Sequence, residues 1–412
     1  MSNKPPKQNV LFLMSDTGGG HRAAAEAIQA AMEQLYPDNY DYRLVDVFRH
    51  HTPFPFKYMP EIYPVWVNRS STSWKIGYVI GDGRRRSKWV LDLSYPLWRP
   101  GIQRMFRQYP ADVVVCVHSL FNRAALRCLK HSKRNWPPFV TVVTDLVSTP
   151  AAWYQDDEDL CLVPTQAAYN RGLDMGLRPD QLKVTGLPIN PSFVEAVTNK
   201  QEARQALEWD ADKLTVLLVS GGAGMGPVFE IARAINAQSL DIQLAIIAGH
   251  NQRLQKRLEN CHWNQPTIIY PFVDYMARLM TASDIIVTKA GPSTLAEACV
   301  AGLPMIISGK VPGQEDGNVD YIIDNGAGVY APGPELVGEA LSAWVNNPPS
   351  IDAYSAAAKQ LARPRAAWDV AQEIHTITQY PPLHATQPTR PSWSLLLPRL
   401  RPDVTNPPEN PL

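Results

Sequence analysis

Short apolar runs alternate along the chain with longer stretches whose apolar residues recur at helical spacing. "VLFLMS" (10–15), "YRLVDV" (42–47), "DVVVCVH" (112–118), "FVTVVTDL" (139–146) and "LCLVPT" (160–165) form an earlier set. "LTVLLVSGG" (214–222), "IQLAIIAG" (242–249), "TIIYPF" (267–272), "DIIVTKAG" (284–291) and "LPMIISG" (303–309) form a later one. Runs without polar alternation are strands covered on both faces, the signature of parallel sheets flanked by helices. Their alternation with helix-length intervals predicts an α/β protein of two Rossmann-like domains facing across a cleft.

The pattern also sets boundaries. Residues 1–8 read as a tail, 9–192 as the first Rossmann-like domain, 193–212 as a charged linker that follows Pro188 and Pro191, and 213–380 as the second domain. Helical patterns at 335–345 and 366–378 close that second half. The proline-rich residues 381–412 have little means of forming a core and are expected to be a disordered tail. Residues 52–110 break the strand–helix rhythm and carry Trp66, Trp74, Trp89, Trp98 and the basic run Arg84, Arg85, Arg86. Aromatic rings beside arginines suit a membrane interface with anionic lipid. The alternative is a folded subdomain with its tryptophans in a core and its arginines in solvent.

Composition narrows the picture. The 39 basic residues balance the 39 acidic ones, so no broad positive field points to nucleic acid as a partner. Five scattered cysteines without a CxxC pair read as core thiols of a reducing compartment. The opening "MSNKPPKQNV" lacks the apolar core of a signal peptide, and no run reaches the roughly 18 apolar residues of a spanning helix. The expectation is a cytoplasmic protein, or one peripheral on the cytoplasmic face of a membrane.

Glycine loops carry the candidate chemistry. Gly18, Gly19 and Gly20 lie between the first strand and its helix, where backbone N–H groups and the helix dipole favour an anion or polar ligand. His21 follows, a candidate general base near neutral pH or an ordinary packing histidine. A second loop, "SGGAGMGP" (220–227), follows the first strand of the later half. In "TKAGPSTLAEA", Gly291, Pro292, Ser293 and Thr294 form a helix start suited to phosphate. Glu297 is placed either to accept from ribose hydroxyls or to close a capping box with Thr294. "GQEDGNV" (313–319) offers Gln314, Glu315 and Asn318, a donor and acceptor set able to read sugar hydroxyls, or else a plain polar turn. No spacing of metal ligands stands out, and "QDDED" reads as surface charge, so no metal is expected.

"LMSDTGGGHRAAAEAI", "TVVTDL", "GLPINPSF", "GGAGMGP", "TKAGPSTLAEA" and "GQEDGNV" stand in an order that resembles the monogalactosyldiacylglycerol synthases, relatives of the processive diacylglycerol glucosyltransferases and MurG-type N-acetylglucosaminyltransferases. The resemblance implies an inverting, metal-independent glycosyltransferase of the GT-B type with no cofactor. The first domain would take diacylglycerol at a membrane and the second a UDP-sugar, with UDP-galactose favoured. His21 would be the base, with Gly19, Gly20, His118 and Asp145 on the acceptor side. Phe272 would lie against uracil and Glu297 would hold the ribose. Gly222, Lys289, Gly291, Ser293 and Thr294 would surround the diphosphate, while Gln314 and Glu315 would meet the sugar hydroxyls with Asn318 nearby. Trp66, Trp74, Arg84, Arg85, Arg86 and Trp89 are the expected contacts with anionic membrane lipids. Competing expectations are a glucosyl- or N-acetylglucosaminyltransferase acting on another lipid, a UDP-sugar epimerase or hydrolase of the same frame, and a membrane-bound regulator without turnover.

Overall fold

The structure, a computed structural model, describes residues 6–17, 19–132, 136–197, 199–222, 224 and 226–379. Gly18 of the first glycine loop and the expected tail at 381–412 lie outside the described residues.

Two six-stranded parallel sheets carry the molecule. The first contains β1 (Gln8–Met14), β2 (Tyr40–Asp46), β3 (Val113–Cys116), β4 (Phe139–Val142), β5 (Leu160–Val163) and β6 (Leu182–Val184), in the order β2-β1-β3-β4-β5-β6. The second contains β7 (Leu214–Val219), β8 (Ile242–Ile247), β9 (Thr267–Tyr270), β10 (Ile285–Lys289), β11 (Met305–Gly309) and β12 (Gly328–Tyr330), in the order β12-β11-β10-β7-β8-β9. Each apolar run of the sequence becomes one of these strands. The edge strands β6 and β12 are additional; at three residues each, they are too short to stand out as apolar runs.

The absence of polar alternation has the expected consequence. In β1, Val10, Phe12 and Met14 enter one core layer while Leu11 and Leu13 enter the layer on the opposite face. In β7, Val216 and Leu218 point to one layer and Leu217 and Val219 to the other. Burial of both faces leaves only the carboxyl ends of the strands for chemistry. The strand order reverses between β1 and β3 in the first sheet and between β7 and β10 in the second. Beyond those two points the neighbouring loops diverge and leave a crevice, where ligands of open α/β sheets bind.

Two segments attach differently from their place in the sequence. Phe193, Ala203 and Trp209, from the stretch between the sheets, pack into the core of the later half, and Arg204 is buried there against Asp284 at 2.6 Å. The last helix, Ala366–Thr378, follows the later sheet in the chain but packs on the earlier one through Ala367, Val370, Ala371 and Ile374. Within residues 52–110 stand three helices, Met59–Arg69, Ser71–Gly81 and Arg84–Gln108. The last of them buries Leu91, Tyr95, Trp98, Ile102 and Met105 on one side.

Candidate active site

At the first switch point the chain leaves β1, passes Asp16 and Thr17, and enters the helix Gly20–Leu35. Gly19 caps that helix at φ 78, a left-handed conformation that a β-carbon disfavours. Asp16 ties the loop down by a two-point contact with Arg22, at 2.6 and 3.0 Å, which holds its carboxyl below the usual range. Gly20 is also a close approach: a β-carbon there would sit 3.4 Å from Ser293 Oγ, which belongs to the other half. The two glycine-bearing loops therefore meet face to face.

His21 occupies the first turn of the helix. Its Nδ1 lies 2.9 Å from Thr144 Oγ1, just past β4, and its ring centroid lies 4.4 Å from that of His118, just past β3. Thr144 Oγ1 also reaches the Val117 carbonyl at 3.5 Å. A carbonyl only accepts, so the threonine donates to Val117 and accepts from His21 Nδ1–H. The neutral ring then carries its free lone pair on Nε2. Burial pushes the His21 pKa down to about 4, opposed by a contact with the Val117 carbonyl. His118 is buried against Phe121, takes the Leu120 N–H on Nδ1 at 3.3 Å, and faces Thr17 Oγ1 with Nε2 at 3.2 Å. Burial, then the adjacent His21, holds its pKa well below the usual value.

Asp145 is buried one residue further on. The Trp153 indole N–H donates to its Oδ2 at 2.7 Å, and Gln314 Nε2 lies 3.4 Å from its Oδ1. Burial raises its pKa to about 6. Gln314 thus crosses from the later half to the earlier one. Asn318 does the same: its Nδ2 donates to Ala290 O at 2.9 Å and its Oδ1 accepts the Val147 N–H at 3.2 Å. One end of this buried amide ties the two halves and the other braces the loop within its own half.

The second switch point assembles the remaining candidates. Gly222, past β7, accepts the His250 N–H at 2.9 Å, and the His250 ring stacks on Phe272 at 4.1 Å and 11°. Phe272 is 51% exposed. Past β10, Gly291 is the N-cap of the helix Pro292–Ala301, and no side chain caps it. The free amides of that first turn, with Ser293 and Thr294 beside them, make a site for an anion. Lys289 Nζ lies 2.7 Å from Glu315 Oε1, and Glu315 Oε2 accepts the Val311 N–H at 2.8 Å. Glu315 is therefore buried and turned to the lysine.

With Gly291 as the cap, Thr294 falls at the third helical position, and the capping-box reading of Thr294 and Glu297 does not hold. Glu297 lies in the second turn, where burial raises its pKa to about 7. Ionised, it is ready to accept from a hydroxyl pair.

The membrane candidates divide. Trp89 is 67% exposed on helix Arg84–Gln108, and Trp66 is also exposed. Trp74 instead lies half-buried, its ring edge-on to Tyr63 at 5.0 Å and to Trp66 at 5.5 Å. Arg84 approaches Asp156 at 3.7 Å, Arg86 donates to the Asp82 carbonyl at 2.9 Å, and Arg85 is exposed.

Thr17, Thr144, Trp153, His250 and Tyr63 join these sites without having been singled out in the sequence. Thr144 stands beside Asp145 in "TVVTDL" and His250 follows the apolar run "IQLAIIAG", so both had a local signal. Trp153 and Tyr63 had none. Among the described residues no group of three or more His, Cys, Asp or Glu side chains is placed to hold a metal ion, and no helix is long and apolar enough to cross a membrane.

The family profile described as monogalactosyldiacylglycerol (MGDG) synthase matches residues 21–189, and that of the glycosyltransferase family 28 C-terminal domain matches residues 216–369. The chain is 36% identical to monogalactosyldiacylglycerol synthase 1, chloroplastic, of Arabidopsis thaliana, over 92% of this chain and 72% of that one. It is 36% identical to the chloroplastic monogalactosyldiacylglycerol synthase of Spinacia oleracea, over 91% of this chain and 73% of that one. The crystal structure of MurG from Acinetobacter baumannii superimposes with a TM-score of 0.58 at 16% identity, covering 90% of this chain and 99% of that one, which shows a shared GT-B fold. Agreement at this level along both halves means that the chain belongs to the monogalactosyldiacylglycerol synthase family.

Proposed function

We propose that this hexosyltransferase, whose family reaction moves galactose from UDP-galactose to diacylglycerol, performs that transfer while resting on a membrane by the helices of residues 52–110. The observation that carries the reading is the close approach of Gly20 to Ser293. It sets an imidazole of the earlier half against an uncapped helix start of the later one.

In this reading the uracil lies on Phe272, whose far face is backed by His250. Glu297 takes the ribose, and the amides at Gly291 to Thr294, with Lys289, take the diphosphate. Those fixed dipoles are aimed at charge that grows on the leaving UDP, where they stabilise the transition state more than the ground state. Gln314 and Glu315 meet the sugar hydroxyls, and Asn318 holds the loop that carries them. Nε2 of His21 removes the proton of the acceptor hydroxyl as its oxygen attacks the anomeric carbon from the side opposite UDP. One displacement inverts that carbon.

The membrane part rests on exposed apolar side chains. Ile62, Val65 and Trp66 protrude from helix Met59–Arg69, Ile76 and Val79 from Ser71–Gly81, and Trp89, Val90, Leu93 and Leu97 from Arg84–Gln108. Soluble surfaces rarely gather so many, and apolar rings beside arginines fit an anionic bilayer. The protein then sits as a peripheral protein on the cytoplasmic face.

The test is incubation with diacylglycerol vesicles and each common UDP-sugar, with mass spectrometry of the lipids and a parallel arm containing a metal chelator. The expected product is monogalactosyldiacylglycerol at a rate the chelator leaves unchanged. Transfer of another hexose in preference, or release of free sugar without glycolipid, overturns the assignment.

A further inference from the structure

Tyr63 belongs to the membrane-side helix Met59–Arg69 of the earlier half, yet its hydroxyl lies 3.0 Å from Oε1 of Gln314 in the later half. The other end of that amide, Nε2, lies 3.4 Å from Asp145 Oδ1, and Asp145 Oδ2 is taken by the Trp153 indole N–H at 2.7 Å. A carboxylate only accepts, so the amide presents its NH2 to Asp145 and its carbonyl to Tyr63. Tyr63 is therefore the donor. A primary amide owns two N–H bonds and two lone pairs, and these contacts use one of each. One N–H and one lone pair remain, and their directions follow from the two bonds already made.

Tyr63 is itself held. Its ring meets Trp74 edge-on at 5.0 Å, Trp74 meets Trp66 at 5.5 Å and 90°, and the Trp66 indole N–H donates to Ser73 Oγ at 2.9 Å. Burial, with Glu315 and Asp145 close by, raises the phenol's pKa above its ordinary value. The group stays a protonated donor wherever the enzyme works. Galactose and glucose differ in the direction of one hydroxyl, axial against equatorial. A donor and an acceptor of fixed direction distinguish the two, whereas an amide free to rotate accommodates either.

We propose that Tyr63 is a positioning residue for sugar selection: its hydroxyl, together with the Asp145 carboxylate, fixes the amide of Gln314 so that the remaining N–H and lone pair select the hexose of the donor. The inference rests on the reading that Gln314 meets the sugar.

A double-mutant cycle tests it. Tyr63→Phe keeps the ring and removes only the hydroxyl, and Gln314→Ala removes the amide. For the full-length protein, the two single variants and the double variant, kcat/KM is measured with UDP-galactose and with UDP-glucose on diacylglycerol vesicles, and UDP inhibition is measured alongside. The Tyr63→Phe variant is expected to lower the galactose-over-glucose ratio by about threefold to tenfold, the scale of one hydrogen bond, with UDP inhibition unchanged. The double variant is expected to match Gln314→Ala, because Tyr63 acts through that amide. A ratio that falls in Gln314→Ala but not in Tyr63→Phe overturns the positioning role and leaves the reading of Gln314 standing. Effects that multiply in the double variant overturn it as well. An equal loss with both sugars and a lower melting temperature in Tyr63→Phe, the ratio unmoved, reduces the residue to a structural tie. A ratio unmoved in Gln314→Ala overturns the reading of Gln314 and this inference together.

Discussion

At the scale of single residues, the environment of His21 decides its chemistry. An imidazole in water is half-protonated near 6.5, and a base that is already protonated cannot accept the acceptor's proton. Burial moves the His21 pKa to about 4, so the ring is neutral throughout the physiological range, with its lone pair on Nε2 by virtue of Thr144. Asp145, raised to about 6, accepts from Gln314 and Trp153 with its two oxygens, an arrangement complete only in the ionised form. Both shifts act on the acid side of the rate profile. As pH falls through about 6, Asp145 gains a proton and kcat/KM drops; as it falls through about 4, His21 gains one and the drop steepens. In His21→Ala the rate is expected to fall at least about 100-fold, the range for loss of a general base, with UDP affinity preserved and the step near 4 absent. Equal loss of rate and UDP affinity marks the histidine as structural. The sequence shows His21 after its glycines, but not its pairing with Thr144, because a contact across 123 positions leaves no mark on local spacing.

Among the elements, the helix Arg84–Gln108 shows how one pattern serves two surroundings. Leu91, Tyr95, Trp98 and Ile102 turn one face to the core, while Trp89, Leu93 and Leu97, four residues apart, form a stripe on the other. Residues at such spacing share a helix face, and each leucine that enters a bilayer contributes about 1.5–3 kcal/mol. Joint substitution of Leu93→Glu and Leu97→Glu is therefore expected to weaken attachment to anionic vesicles by at least about tenfold in a flotation assay. Neutralising Arg84, Arg85 and Arg86 is expected to weaken it at low salt only, since screening removes the field of exposed charges. Attachment unchanged in both variants rejects this surface. The sequence shows an aromatic and basic segment and leaves two readings open. The core reading holds for Trp98, while Trp89 is exposed and Trp74 supports Tyr63.

For the whole molecule, the last helix ties the end of the chain to its beginning. Ala366–Thr378 lays Ile374 and Val370 against the layer of Val10 and Phe12, stacks His375 on Tyr36 at 3.8 Å, and bonds Trp368 to Gln34 at 2.8 Å. A buried isoleucine cut to alanine leaves a cavity, so Ile374→Ala is expected to lower stability by about 2–5 kcal/mol, read from chemical denaturation. A loss below about 0.5 kcal/mol shows the helix to be a loose appendage. The same return of the chain gives the halves a second connection, and it leaves the loops at 145–148 and 313–318 pressed together by Gln314, Asn318 and the Gly317–Ser148 contact. The amino-acid order by itself determined the two sheets, their covered faces and the loops at their carboxyl ends, because apolar runs and glycine turns act over a few residues and are written in consecutive positions. Only the folded chain decided that His21 would meet Thr144, that Tyr63 would orient Gln314 and that the final helix would leave its own half. Those contacts join segments far apart in the chain, and their energy exists only once the sheets have been brought together.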